Sequence, residues 1–220
     1  MLPAARPTAA SGRALRGAFH LAVLAALLIS APASAQIRIS EVLANPVGPD
    51  AGNQKVELTN TATATINIGG WWICGFFAYR QFPASVPLAP GGKYVIHIGA
   101  TGTNDSGNYY TGAFPTLSPT DDSFSLYWTN SFGSASAIAD FVQWGATGQA
   151  RENVAILAGV WPAGQYRPRA PEGGSVQLCV PAIGAADWHP GPPTLGSPNA
   201  CEPPVPENST TWSRLKASYR

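Results

Sequence analysis

Charged side chains are scarce in this sequence of 220 residues, where they make up 11% of the total. Ordinary soluble domains contain roughly a quarter. The surface must therefore be built mainly from Ser, Thr, Asn, Gln and Gly, a composition that suits an extracellular module. Residues 36–200 contain only seven Lys and Arg residues. Because phosphate contacts need clustered cations, this composition disfavours a nucleic-acid partner.

Catalytic motifs are also missing, since the sequence has no G-x-S-x-G, no H-E-x-x-H and no C-x-x-C. After residue 35 the only histidines are His97, on the polar face of a predicted strand, and His189, in a predicted loop. Residues 104–108 are rich in oxygen ligands, but an ordinary turn explains them better than a calcium site. We therefore expect no catalytic residue, no metal and no cofactor, and we interpret the chain as a non-enzyme.

Several short runs alternate apolar and polar residues, as strands with one buried face do. Residues 55–59 follow this pattern and place Glu57 on the polar face. Residues 71–77 are apolar throughout, which predicts one central strand. In that strand Trp71 or Trp72 is expected to be buried.

Further β-prone runs are separated by Gly, Pro, Asn and Ser. Residues 93–98 alternate. In 123–129 the side chains of Phe124, Leu126 and Trp128 are expected to face the core, and those of Ser125, Tyr127 and Thr129 to face outward. No segment after residue 35 has a convincing helical period. The pattern predicts an all-β sandwich of two mostly antiparallel sheets. The other β-prone runs that support this prediction are residues 66–68, 138–144, 154–157 and 175–179.

Five motifs carry a resemblance to a known family. They are IRISEVLANP, QKVELTNTATATINIGGWWI, FPASVPLAPGGKYVIHI, the pair DDSFSLYW and ADFVQWG, and the ending PTLGSPN. In this order they resemble the lamin tail domain over roughly residues 36–199, although Leu195 stands where that family commonly has proline. The resemblance implies an immunoglobulin-like sandwich, as in nuclear lamins and secreted bacterial proteins. Because lamin tails associate with chromatin, it also implies nucleic-acid binding as an alternative.

The first 35 residues have the three parts of a secretory signal peptide. They contain three arginines, an apolar segment over 18–29 and an A-x-A site at 33–35. Twelve apolar residues are too few to cross a bilayer. We predict cleavage before Gln36, a secreted or cell-envelope location, and no transmembrane segment in the mature chain, whose net charge is about −2.

Three cysteines, Cys74, Cys179 and Cys201, leave one thiol unpaired in an oxidising compartment. A Cys179–Cys201 disulfide would close the end of the domain and stabilise it by roughly 3 kcal/mol. The alternative joins Cys74 to Cys179 across the sandwich. We favour the first pairing, with Cys74 as a small buried hydrophobic residue.

Four aromatic residues lie in predicted loops, where no alternation buries them. Aromatic side chains on loops can form binding surfaces, so these four are candidate ligand-binding residues. The alternative is that they cap the open ends of the sandwich as a second small core. They are Tyr109, Tyr110, Trp161 and Tyr166.

After the predicted domain, 36–200, the composition changes. Residues 201–209 form a proline-rich linker, and 210–220 form a short basic and aromatic tail. A helix in this tail would carry a candidate sorting signal, and the alternative is a frayed end. The residues of that signal are Trp212, Leu215, Lys216, Tyr219 and Arg220.

These features predict an exported, non-enzymatic module for binding or structure at the cell surface or outside the cell. Its expected partner is a protein or a polysaccharide at that surface. The rival interpretation is an accessory or catalytic domain acting on an envelope polymer. Such an enzyme requires converging carboxylates or a His-paired nucleophile in one cleft, whereas a binding module requires only exposed aromatics and polar edges.

Overall fold

Strands dominate the part of the chain that the computed structural model describes, residues 36–179 and 187–200. The strands are β1 (Ile37–Leu43), β2 (Lys55–Asn60), β3 (Ile66–Asn67), β4 (Trp72–Gly75), β5 (Ala78–Gln81), β6 (Pro87–Leu88), β7 (Lys93–His97), β8 (Asn108–Tyr110), β9 (Asp122–Tyr127), β10 (Ile138–Trp144), β11 (Ser175–Leu178) and β12 (Trp188–Gly191). A single short helix in these ranges, α1, spans Glu152–Leu157.

Two sheets form the sandwich. The first has the order β12-β11-β1-β2-β7-β8 and the second the order β10-β9-β4-β5, while β3 pairs with β6. Within these sheets only β7 and β8 pair in parallel. One continuous hydrophobic cluster joins Ile39 and Ile96 of the first sheet to Ile73 and Leu126 of the second. The predicted all-β sandwich of two mostly antiparallel sheets is therefore confirmed.

The alternation predicted for 93–98 is confirmed, because Tyr94, Ile96 and Ile98 are fully buried. The continuous strand predicted for 71–77 is wrong. β4 ends at Gly75, and the next two residues form the turn into β5. A hairpin tip made of apolar residues produces the same unbroken apolar run as a central strand, so the pattern could not separate them.

Residues 154–157 are also different from the prediction, since they belong to α1. Val154 and Ala155 pack into the core, while Leu157 remains 78% exposed. Two helical turns are too short to show a period of 3.6 residues, and this explains the error. The Glu152 carboxylate accepts a hydrogen bond from the Gly148 backbone N–H at the start of the helix.

The outer face of the second sheet is covered rather than solvated. Tyr127 was expected to face outward with Ser125, yet both are buried. Phe132, in the loop after β9, packs edge to face against Tyr127 at 5.4 Å. Trp128, expected in the core, is 39% exposed. A strand with both faces buried loses the alternation on which the inward and outward assignments depended.

Candidate binding surface

Three residues with left-handed backbone meet at one place on the surface, which we call the hairpin tip. They are Phe76, Phe77 and Arg151, with φ angles of 45°, 60° and 69°. Among the described residues, no other non-glycine residue has positive φ. The left-handed conformation costs a non-glycine residue roughly 1–2 kcal/mol, and such strain concentrates at functional sites.

The rings of the hairpin tip are open to solvent. Phe76 is 68% exposed and Phe77 is 56% exposed. The Arg151 guanidinium lies over the Phe77 ring, with Cζ 5.1 Å from its centroid, and 5.6 Å from the Tyr79 centroid. Cation–π contacts of this kind hold the cation and the rings together. Two phenyl groups and one arginine thus form a single surface feature.

Packing beneath the hairpin tip fixes its position. Arg151 Nε donates a 2.8 Å hydrogen bond to the Tyr79 hydroxyl, and the Tyr79 ring stacks on Phe132 with a centroid separation of 3.7 Å. A Cβ on Gly75 would lie only 2.9 Å from Leu117 Cδ2, so β4 packs closely over that side chain. The base of the turn is therefore rigid.

Arg151 is the charged group of this surface. Burial raises the pKa of the Cys74 thiol and of the Tyr79 phenol, so both stay neutral near pH 7. Within residues 36–179 and 187–200 the ion pairs are Arg38–Asp140 and Lys93–Glu57, and neither involves Arg151. The hairpin tip consequently presents an uncompensated positive charge beside two apolar rings.

Partly exposed aromatic rings continue along the same hairpin. Trp72 packs edge to face on Phe132 at 5.5 Å. Trp71 contacts Trp128 in the same manner at 4.5 Å. This surface could not be predicted from the sequence, because Gly-Phe-Phe-Ala contains none of the Asn-Gly or Pro-Gly signals that usually mark a turn.

Two of the four predicted binding aromatics are in the core. Tyr109 is 6% exposed, and its hydroxyl donates to the Gln81 carbonyl at 2.9 Å. Trp161 is 2% exposed, donates Nε1–H to the Gln165 carbonyl at 2.8 Å, and packs against Phe141. Their expected exposure is wrong because each ring packs among apolar side chains, and its O–H or N–H group reaches a carbonyl acceptor.

The other two predicted aromatics reach solvent. Tyr110 is half-buried and stacks on His97 with ring centroids 4.2 Å apart. His97 in turn has its Nε2 2.9 Å from Asn108 Oδ1. Tyr166 is 46% exposed. His189, predicted in a loop, lies in β12 and is exposed. Among the described residues, the His97 ring thus contacts Tyr110 and Asn108 rather than a Ser or Cys nucleophile.

The loop over 104–108 is organised by its own carboxylate. Asp105 Oδ1 accepts hydrogen bonds from the backbone N–H groups of Gly107 and Asn108 at 2.8 and 2.7 Å. These bonds lower the pKa of Asp105. In the described ranges no group of three or more His, Cys, Asp or Glu side chains is placed to bind a metal. The Asp105 carboxylate thus accepts hydrogen bonds from the backbone of its own turn.

A pair of fully buried carboxylates, Glu41 and Glu57, lies side by side on β1 and β2. Glu41 accepts hydrogen bonds from the Ser175 hydroxyl at 2.6 Å and from the Thr194 backbone N–H at 2.9 Å. Glu57 accepts from the Gly196 backbone N–H at 2.6 Å. Glu57 is on the outer face as predicted, but its expected exposure is wrong because the chain covers it.

Residues 193–199, which we call the C-terminal strap, provide that cover. The Asn199 side-chain amide donates to the carbonyl oxygens of Ser40 and Leu178 at 2.7 and 2.9 Å. Both carboxylates beneath the strap are saturated by protein donors and closed to solvent. They are therefore structural anchors for the strap, although facing carboxylates are also what an enzyme acting on a polymer would need.

Several predicted features lie outside the described residues. These are the signal peptide, the linker, Cys201 and the tail residues Trp212, Leu215, Lys216, Tyr219 and Arg220. Cys74 is a buried free thiol, while the Cys179–Cys201 disulfide stays a prediction. None of the described helices is long and apolar enough to span a membrane.

A protein-family model matches much of the chain. The model of the Lamin Tail Domain family matches residues 30–155, which is more than half of the chain. No curated protein matches the sequence. The matched range contains β1 to β10, the hairpin tip and Glu57, whereas the C-terminal strap lies beyond it.

Proposed function

Because the chain belongs to the lamin tail domain family, an immunoglobulin-like and non-catalytic family, we propose that it is a binding module that contacts its partner through the hairpin tip. The signal peptide predicted from the sequence supports export, so the site of action is the cell surface or the space outside it. The partner is then a component of the cell envelope. The scarcity of charged residues agrees with this location.

The observation that carries the proposal is the convergence of Phe76, Phe77 and Arg151. Asn-Gly would form a two-residue turn of this type without strain. Two phenylalanines in the left-handed conformation instead cost stability and leave large apolar surface in water. Contact with a partner would recover that free energy because it removes both rings from water.

The two alternative functions fit the structure less well. An enzyme would need Glu41 and Glu57 to reach a substrate, and both are fully buried under the C-terminal strap. Nucleic-acid binding would need free cations. Of the seven Lys and Arg residues in 36–200, Arg38 and Lys93 already pair with buried carboxylates.

A sedimentation experiment with isolated cell envelopes tests the proposal. The mature chain should co-sediment with envelopes, and Phe76→Ser combined with Phe77→Ser should reduce the bound fraction about tenfold, because two apolar side chains lose their contacts. Val47→Ser is the matched control, since Val47 is a single exposed apolar residue with 77% exposure elsewhere on the domain.

Both variants should keep the unfolding midpoint of the parent or exceed it, which excludes loss of the fold as the cause. Equal sedimentation of the parent and the double variant would show that the hairpin tip is not the contact surface. Binding that is lost equally in the Val47→Ser control would show that the assay reports general surface apolarity.

A further inference from the structure

We propose that the hairpin tip inserts into the interface of a lipid bilayer, where Arg151 contacts lipid phosphate. This proposal rests on the function proposed above and names the partner of the same surface. The sequence alone does not suggest it, because the apolar run over 71–77 predicts a buried strand. Three properties of the hairpin tip support the proposal: its shape, its charge and the accessibility of its ring faces.

The shape is convex. Gly75 and Ala78 are the last backbone pair of the hairpin, so Phe76 and Phe77 lie beyond it at the turn. Both rings are more than half exposed. A protein partner would have to provide a matching cavity for them. The fluid boundary between headgroups and acyl chains accommodates projecting aromatic side chains without such a cavity.

The charge complements a lipid headgroup. Arg151 binds the Tyr79 hydroxyl through Nε and Nη2, and within the described residues its Nη1 has no hydrogen-bond acceptor. A guanidinium presents donors in a planar fork that matches the oxygens of a phosphate. Because the guanidinium lies over Phe77, insertion of that ring would bring the cation to the depth of the lipid phosphates.

The accessible parts of the rings argue against a polysaccharide. Sugar rings bind proteins by stacking on open aromatic faces. Here one face of Phe77 is covered by the Arg151 guanidinium, and Tyr79 is covered by Phe132. A sugar would therefore find fewer open ring faces here, whereas burial among acyl chains requires no particular face of a ring.

The rigid base lowers the cost of insertion. The stacked Tyr79–Phe132 pair and the Arg151–Tyr79 hydrogen bond already hold the rings and the cation in place. Binding by a preorganised surface loses little side-chain freedom. Two rings provide only modest affinity, so the expected attachment is reversible.

The test uses the mature chain with vesicles of phosphatidylcholine alone and of phosphatidylcholine mixed with phosphatidylglycerol, measured by co-sedimentation. The parent should bind both and prefer the anionic vesicles. Phe76→Ser with Phe77→Ser should lower the partition coefficient about tenfold or more on both. Arg151→Gln should abolish the preference for anionic vesicles, and Val47→Ser should change nothing.

Inorganic phosphate distinguishes a headgroup contact from simple anion binding. Phosphate added to bound protein should leave most of it on the vesicles, because the rings remain inserted. Release by phosphate alone would overturn the insertion model. Absence of vesicle binding, while envelopes still bind through Phe76 and Phe77, would overturn the lipid partner and leave the proposed function standing with a protein or polysaccharide partner.

Discussion

At the scale of single residues, Tyr94 places a destabilising polar group in the core. Its side chain is fully buried in β7, and its hydroxyl has no hydrogen-bond partner among the described residues. Burial, reinforced by the nearby Tyr109, raises the pKa of Tyr94 to about 12. A buried hydroxyl without a partner costs roughly 1–3 kcal/mol relative to a satisfied one.

Replacing Tyr94 by Phe should therefore raise the free energy of unfolding by about 1 kcal/mol at pH 8, since the variant removes an unsatisfied hydroxyl from the core. The folded pKa lies above the unfolded value near 10. The protonated phenol thus favours folding fully below pH 10, and this contribution is lost as the pH rises toward 12. Urea unfolding at pH 8 and pH 11 should show a smaller alkaline loss in the variant. A marked loss of stability at pH 8 would mean that the hydroxyl has a partner.

Cys74 gives a second prediction at this scale. Because the thiol is buried and its pKa is raised, thiol reagents at pH 8 should not label it in the folded protein. In denaturant the oxidised protein should show one reactive thiol, at Cys74, if Cys179 and Cys201 are bridged. Peptide mapping without reductant checks the assignment. Recovery of Cys74 in a disulfide would move the bridge across the sandwich.

At the scale of secondary structure, the turn between β4 and β5 has a strained backbone and exposes two phenyl rings. Changing Phe76 to Asn and Phe77 to Gly should stabilise the domain by about 1–2 kcal/mol, because Asn-Gly adopts two positive φ angles with little strain. The same variant should bind envelopes as weakly as the double serine variant. Thermal unfolding and sedimentation measure the two effects. A destabilised variant would show that the phenyl rings contribute more to the fold than their exposure indicates.

The elements also show what the sequence could and could not reveal. Strands with one solvated face, such as β7, were predicted because their side chains alternate. β9 and the hairpin tip were misread because a covered outer face and an apolar turn both replace alternation with continuous hydrophobicity. The strained φ angles that mark the candidate binding surface leave no trace in composition. The position of Arg151 depends on a contact 72 residues away, with Tyr79.

The sequence pattern also failed to show which tryptophans are buried. The sequence predicts Trp71 or Trp72 as a core residue, but both are only partly buried. The tryptophans in the core, each at most 2% exposed, are Trp144, Trp161 and Trp188. The cost of roughly 3–5 kcal/mol expected for a buried Trp→Ala change therefore belongs to these three. No alternation marks Trp161, because it packs against Phe141 from outside any strand.

At the scale of the whole molecule, the C-terminal strap closes the first sheet. With reductant present, so that the predicted Cys179–Cys201 disulfide is open in every variant, a chain ending at Pro192 should lose several kcal/mol of stability, because Glu41 and Glu57 would lose their buried donors from Thr194 and Gly196. Deletion of 208–220 is the matched control. It should leave the melting temperature unchanged if that segment is an independent tail beyond the proline-rich linker. An unaltered melting temperature in the shorter chain would show that water replaces the strap.

Export provides the last prediction at this scale. Intact-mass analysis of the secreted protein should give a chain beginning at Gln36, because the A-x-A site precedes it. Release of the protein lacking 208–220 from cells, compared with the parent, tests the sorting role of Trp212 and Leu215. A product that retains 18–29 would contradict cleavage.

The strap also sets the order in which a newly made chain can finish folding. Thr194 and Gly196 bind glutamates that lie 153 and 139 residues earlier. Until the ribosome has added Thr194 and Gly196, the two buried carboxylates of the first sheet lack these donors. Contacts so distant in sequence form late and slow the overall reaction. A polypeptide that cannot close its first sheet until residue 196 is synthesised stays unfolded longer, and an unfolded chain is the form that the channel for the proposed export can thread.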